Sequence, residues 1–394
     1  MAIYLDHAAT SPMTTEVLAA YVDALAVTGN PASIHSQGQA AKRMLEEARE
    51  QVALSVGADR AEVTFTSGGT EAVNLAIKGL FWARNDGSGA ARPRILIAAG
   101  EHHATVDAVE WLSRSQGAVV ETVPIDSLGR IDLDALGSAL ADDVALVSVL
   151  WANNEVGTIQ PIGEVVALAA RHGVPVHSDA IAAYGYLPID FASTGLAALS
   201  ISAHKIGGPV GIGALVIARS ASVVPLIHGG NQQRARSGTQ DAAGAVAFGV
   251  AATRAVSRLD DRVRGLTVLR DRLIAGVRSA VPAAVLRGDP VDRLPGNAHF
   301  TFPGCEGDSL LFLLDVAEFS VSTGSACQAG VPEASHVLRA MGLSEADSRG
   351  ALRMTLGPET TGAEVDAFVA ALPAVVARAG DAGLAAGTLA VGAR

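Results

Sequence analysis

Short, mostly apolar runs spaced by helical segments constrain this chain more than any other feature. They lie at 62–66, 95–98, 118–123, 144–150, 174–177, 199–201 and 212–217. A strand with one face in water alternates apolar and polar residues, whereas most of these runs, such as 95–98, 144–150 and 212–217, show no such alternation, so both faces must be covered. Val/Ile/Leu strands separated by helices therefore predict a mainly parallel sheet with helices on both sides, an α/β fold. Further on the pattern changes. Strands at 297–302, 319–322 and 352–356 mix with helices, which suits a smaller α+β domain beside the large one, and 394 residues is long enough for both.

The segments between the strands are less sharply marked. Helical periodicity covers 37–56, with Ser36 as the predicted N-cap. It resumes at 72–83, and the charged run 259–278 reads as the solvated face of a long helix. The Ala- and Gly-rich tail from 374 reads as frayed or weakly helical. No apolar run is long enough to span a bilayer, and Asp6 stands where a signal peptide needs basic and then apolar residues. Both predict a soluble, intracellular protein with no membrane partner. A net charge of −11 without a basic block argues against nucleic acid as the main partner. The two cysteines, Cys305 and Cys327, lack the spacing of a disulfide framework or a zinc site, and no metal is expected.

The chemistry concentrates at strand ends. Ser67-Gly68-Gly69-Thr70 joins a strand to a helix, where free backbone N–H groups and the helix dipole bind an anion, most often a phosphate; a plain helix cap is the alternative. Asp179 ends a parallel strand on the side that faces a ligand crevice, where it either caps the segment 180–184 or pairs with a cationic ring nitrogen. Lys205 ends the next strand, in Ser202-Ala203-His204-Lys205, before a glycine-rich turn. A lysine held in an apolar pocket loses basicity and becomes a nucleophile for aldehydes; a surface lysine that snorkels into solvent is the alternative. His102 and Asn154 follow two other strands, each placed to meet a ligand or merely to make a turn. Arg353 is a charge inside an apolar strand and needs a partner; its fork suits an α-carboxylate. Cys327 sits among small residues in a loop that favours reactivity, while Cys305 reads as structural.

The stretches YLDHAATSP (4–12), FTSGGTEAVNLAIKG (65–79), ANNEVG (152–157), HSDA (177–180), AHKIGGPVGIGAL (203–215), RSGTQD (236–241), STGSAC (322–327) and LRMTLG (352–357) run through nearly the whole chain. In that order they resemble the NifS/IscS-like cysteine desulfurases, within the class V aminotransferase group of fold type I pyridoxal phosphate enzymes. The resemblance implies a large domain over 14–255 with a seven-stranded sheet, and a small one formed by 1–13 and 256–394. It implies pyridoxal 5′-phosphate as cofactor, L-cysteine as substrate, a sulfur-acceptor protein such as iron–sulfur cluster assembly requires, a homodimer, and a cytoplasmic location. By the same resemblance Lys205 is the Schiff-base lysine, Asp179 the partner of the pyridine nitrogen, and His102 the histidine stacked on the ring. Gly69, Thr70, Ser202 and His204 belong to the phosphate site, with Thr239 supplied to it by the other subunit. Asn154 and Arg353 hold the substrate carboxylate, and Cys327 receives the sulfur. The family normally has Gln three residues after the aspartate; here that position is Ala182. A selenocysteine or C–S lyase, an aminotransferase, and a catalytically weakened scaffold-like relative are the rival readings.

Overall fold

The computed structural model describes residues 2–87, 89–230, 232–324 and 334–391. Its strands, in chain order, are β1 (Ile3–Tyr4), β2 (Val63–Thr66), β3 (Arg94–Ala98), β4 (Val119–Val123), β5 (Val144–Leu150), β6 (Val176–Asp179), β7 (Ala198–Ser202), β8 (Gly213–Ile217), β9 (Val285–Arg287), β10 (Asn297–Thr301), β11 (Phe319–Ser320) and β12 (Ala351–Thr355). Strands β2 to β8 form one seven-stranded sheet in the order β2-β8-β7-β6-β5-β3-β4. This is the mainly parallel α/β sheet that the apolar runs predict.

One strand departs from the parallel pattern. β8 runs antiparallel to both its neighbours, β2 and β7. The reason is the connection: a 3-10 turn, Ala203–Ile206, and a glycine-rich stretch link β7 to β8, with no crossover helix between them. A short link can only reverse the chain, because parallel neighbours need a longer crossover. The reversal seats Gly213 of β8 hard against the turn that precedes the helix Gly69–Arg84. A Cβ at Gly213 would lie 2.8 Å from the carbonyl carbon of Gly68 and 2.8 Å from the carbonyl oxygen of Ile201, both backbone. Gly213→Ala is therefore expected to cost about 1–3 kcal/mol, as overpacking does, and to displace the 67–69 turn. Thermal melts check the cost, and hydrogen exchange at the amides of 67–69 checks the displacement.

The centre of the sheet carries a polar brace. His177 on β6 is fully buried, with Nδ1 2.9 Å from Ser148 Oγ on β5 and Nε2 2.9 Å from Ser200 Oγ on β7. Burial pushes its imidazole down to about 3, so the ring is neutral and bridges the two hydroxyls. Side chains that pair across three neighbouring strands fix their register, because a one-residue slip would turn them to opposite faces. The brace thus lines up the ends of β5, β6 and β7.

Apolar side chains of the sheet and its helices pack into extensive cores on its two sides. Another core gathers Leu5, the helix Leu259–Ala280, strands β10 and β12, and the helix Gly362–Val391. There β12, β10 and β9 form an antiparallel sheet, and β1 pairs in parallel with β11. β9 carries no recognisable signal in the sequence, being three residues long with Val285 exposed. Three local expectations are corrected. The helix Ser36–Ser55 is capped by His35, whose Nδ1 accepts from Gly38 N at 3.2 Å, and not by Ser36, which lies inside it. The helix expected over 72–83 begins at Gly69, three residues earlier. Residues 180–184 form turns, so Asp179 caps no helix. Among the described residues no helix is long and apolar enough to cross a membrane.

Candidate active site

The C-terminal ends of β5, β6 and β7 open onto a cavity of about 260 Å³. Asp179, the last residue of β6, and Lys205, in the turn after β7, both line it. Gly69 and Thr70 enter from the first turn of the helix Gly69–Arg84, whose N-cap, Gly68, offers no side-chain hydrogen bond to the free N–H groups. His102, Asn154 and His204 complete the polar wall. Side by side in space, these residues come from stretches spread over more than a hundred positions of chain, which is what parallel strand ends achieve.

Gly69 has a steric reason to be glycine. A Cβ there would run into the Cδ1 atom of Ile181, which closes the cavity from the β6 side. Ser202 lies just behind, and its Oγ is buried with no hydrogen-bond partner among the described residues. Such a hydroxyl costs free energy unless a ligand satisfies it. An uncapped helix N-terminus and an unsatisfied serine at one end of a cavity make an anion site.

Asp179 is 2 % exposed, and its Oδ1 accepts a hydrogen bond from Ile181 N at 2.9 Å. Burial pushes its carboxyl up to about 6, against that hydrogen bond and the positive charge of Lys205. Lys205 is half-buried; its Nζ donates to the carbonyl of Ala8 at 2.5 Å and that of Ala9 at 3.0 Å. Desolvation, with the nearby charge of Arg353, lowers its ammonium to about 8, which leaves a usable neutral fraction of amine near neutrality. The His102 ring lines the cavity, where desolvation and the charge of Lys205 push it down to about 4. Its Nδ1 accepts from Ala104 N at 3.0 Å, which leaves Nε2 as the ring's proton-bearing nitrogen. His204 is likewise held down at about 4 by burial and Lys205, with Nδ1 3.3 Å from Thr10 Oγ1.

Arg353 lies on β12, 5 % exposed. Its Nη2 donates to Asp6 Oδ1 at 2.8 Å and its Nη1 to the carbonyl of Asn154 at 2.9 Å. The second contact ties the loop after β5 to the other core. Thr239 is exposed and does not line this cavity within one chain. Cys327 lies outside the described residues. Cys305 is buried, and burial pushes its thiol up. Among the described residues no cluster of His, Cys, Asp or Glu is grouped to hold a metal ion.

Several residues of the site carry no strong local signal. Ala182 lines this cavity and a smaller one of about 40 Å³ beside it. Glu101 is 1 % exposed and accepts from Leu150 N at 2.7 Å, pinning the end of β5. Burial, with the neighbouring charge of Asp179, holds its carboxyl well above the usual range. Asp6 escapes notice because its partner is 347 positions away.

Comparisons with known proteins agree with this geometry. The family model described as "Aminotransferase class-V" matches residues 3–368. An "IscS-like cysteine desulfurase" of Mycobacterium tuberculosis is 52 % identical over 388 residues, covering 97 % of this chain and 98 % of that protein. A solved "NifS-like protein" superposes with a TM-score of 0.88 at 33 % identity, over 96 % of this chain and 100 % of its own. A structure titled "SspA in complex with cysteine" superposes with a TM-score of 0.78 at 30 % identity, over 91 % of this chain and 100 % of that one. With nearly the whole length matched at both levels, the chain belongs to the class V aminotransferase family, among its IscS/NifS-like cysteine desulfurases.

Proposed function

We propose that this protein is a pyridoxal 5′-phosphate-dependent cysteine desulfurase that converts L-cysteine to L-alanine and leaves the sulfur as a persulfide on Cys327. The observation that carries the reading is the pairing of a weakly basic Lys205 with a buried Asp179 at adjacent strand ends, facing one cavity with an anion site. These residues fit the cofactor's chemistry. Gly69, Thr70, His204 and the unsatisfied Ser202 would hold its phosphate, Asp179 its ring nitrogen, and Lys205 its aldehyde carbon. When bound, the cofactor supplies an electron sink for charge that develops on the substrate.

The chain's own groups supply the rest. Arg353 and Asn154 hold the substrate's α-carboxylate, which fixes the amino acid across the cavity. Lys205 in its neutral form takes the α-proton and later returns one to the carbon skeleton. His102 moves a proton at the substrate side, and its depressed basicity keeps it neutral for that purpose. The Cys327 thiolate attacks the substrate sulfur. The Cβ–S bond breaks, a sulfur–sulfur bond forms, and the skeleton leaves as alanine; the sulfur is oxidised as the carbon is reduced, so no outside oxidant is needed. A protein thiol that accepts the persulfide sulfur is the expected partner. We infer a homodimer, with Thr239 of each subunit completing the phosphate site of the other.

The test is Cys327→Ser. Cofactor binding should stay intact while persulfide formation stops, since the thiol acts on the substrate's sulfur and not on the ring. Full alanine and sulfide production by this variant would instead favour a lyase. Cys305→Ser, a change at the buried thiol of the other core, should leave turnover within about twofold, the scale of a mild packing change.

A further inference from the structure

Glu71 stands in the first turn of the helix Gly69–Arg84, beside Thr70, and the chemistry above gives it no role. We propose that Glu71 is a positioning residue that couples the two phosphate sites of a dimer, so that filling one site readies the other. The proposal rests on the reading that Thr239 of each subunit completes the phosphate site of its partner.

One carboxylate joins two segments. Glu71 Oε2 accepts from Ser67 N at 2.7 Å, which closes the turn that leads into the anion site. The other oxygen, Oε1, accepts from Arg236 Nε at 3.1 Å. Partial burial raises the Glu71 carboxyl, but the bonds from Ser67 and the charge of Arg236 outweigh it and hold it below the usual range, so the group is ionised at neutral pH. The pair is shielded, with side-chain exposures of 14 % for Glu71 and 21 % for Arg236. Arg236 also cancels a negative charge that would otherwise oppose a phosphate at the neighbouring turn.

The segment around Arg236 is fastened to the strand on the other side of that turn. β2 runs straight into residues 67–69 and is the edge of the large sheet. Gln233 takes the place of a further strand there. Its Oε1 accepts from Phe65 N at 3.0 Å, and its Nε2 donates to the carbonyl of Phe65 at 2.7 Å. Thr64 Oγ1 donates to the carbonyl of Arg234 at 2.9 Å. Beyond Arg236, Gly238 N donates to Gln232 Oε1 at 2.9 Å, and Arg49 Nη2 donates to Gln240 Oε1 at 2.7 Å. Thr239 is exposed in the single chain and lies between these two anchored residues, so the anchors set its place and packing does not.

Two routes then run between the sites. An anion on the turn of one subunit orders Ser67 and, through Glu71 and Arg236, the Thr239 of that subunit, which serves the partner's site. The same anion engages the partner's Thr239, and the same bonds carry that constraint back to the partner's own turn. Ordering completed for the first ligand is not repeated for the second, and the effect is reciprocal.

Pyridoxine 5′-phosphate carries the phosphate and lacks the aldehyde, so it binds without a covalent bond to Lys205. Titrated by calorimetry into the full-length dimer freed of cofactor, its second molecule is expected to bind about fivefold more tightly per site than the first, the low end of measured couplings. Glu71→Gln keeps the size but offers one acceptor where two are used. Arg236→Met leaves Glu71 on Ser67 and cuts the link towards Thr239. In both variants the two steps should become equal, with the dimer intact by sedimentation. General damage to the fold lowers both affinities together, so a ratio that falls to one is not what a merely structural residue yields. Equal steps in the unaltered protein, or an undiminished ratio in both variants, overturns the proposal. So does dissociation of either variant into monomers, because the pair would then hold the dimer and not the coupling. Failure of the underlying reading looks different. Thr239→Val should weaken both steps about tenfold, the scale of one hydrogen bond to a charged group. If it binds as tightly as the unaltered protein, Thr239 reaches no phosphate and both ideas fall; if it weakens binding while the unaltered protein shows equal steps, the coupling alone falls.

Discussion

Replacing Lys205 with alanine is expected to lower turnover of L-cysteine at least about a thousandfold, because one amine serves as both nucleophile and base. The sequence offers no substitute. Its only other lysines are Lys42 and Lys78. Lys42 is exposed on the helix Ser36–Ser55, and Lys78 sits over the ring of Trp111, 4.5 Å from its centroid. Neither lines the cavity. Borohydride reduction of the loaded protein should fix the cofactor to the peptide that contains Lys205, and the variant should retain none. Label recovered on Lys42 or Lys78 would place the chemistry elsewhere.

Asp179→Asn should do two opposite things. Without a carboxylate to hold a proton on the ring nitrogen, turnover should fall by about a hundredfold or more. The protein without cofactor should nevertheless become more stable. The folded carboxyl titrates at about 6 against 3.8 for the ordinary group, because burial disfavours its charge. Between those values the folded chain keeps a proton that the unfolded chain has lost, so stability declines as pH rises through the interval and stays low above it. Two pH units correspond to at most about 3 kcal/mol. Asparagine carries no charge to bury and can still accept from Ile181 N. Its melting advantage should be full above about pH 7 and close by about pH 4. A constant advantage at all pH values would show that the ionised carboxylate is not what strains the fold.

The parallel strands were legible in sequence because a strand covered on both faces is mostly apolar and does not alternate. The direction of β8 was not legible, since a strand's composition is the same whichever way it runs; only the missing crossover helix hinted at it. The site was legible wherever a polar residue broke the pattern at a strand end, as at Asp179 and Lys205, or inside a strand, as at Arg353. Asp6 gave no such sign, because its meaning depends on a partner brought up by the distant fold. His35 was passed over as a cap because serine beside it is the commoner choice, yet an imidazole nitrogen accepts a hydrogen bond equally well. Glu101 carries no sign in the sequence, since only the fold buries it beside the end of β5.

The pairing of β1 with β11 and of Asp6 with Arg353 dictates an order of events during synthesis. The large sheet closes with β8, at Ile217, and can form while the ribosome is still making the remainder. The carbonyls of Ala8 and Ala9, which receive Lys205, belong to a segment whose own strand partner emerges only near the end of the chain. Contacts 347 residues apart are slow to close, because the loop entropy must be lost before they form. A nascent chain is therefore expected to form its sheet before Lys205 gains the two acceptors that Ala8 and Ala9 provide.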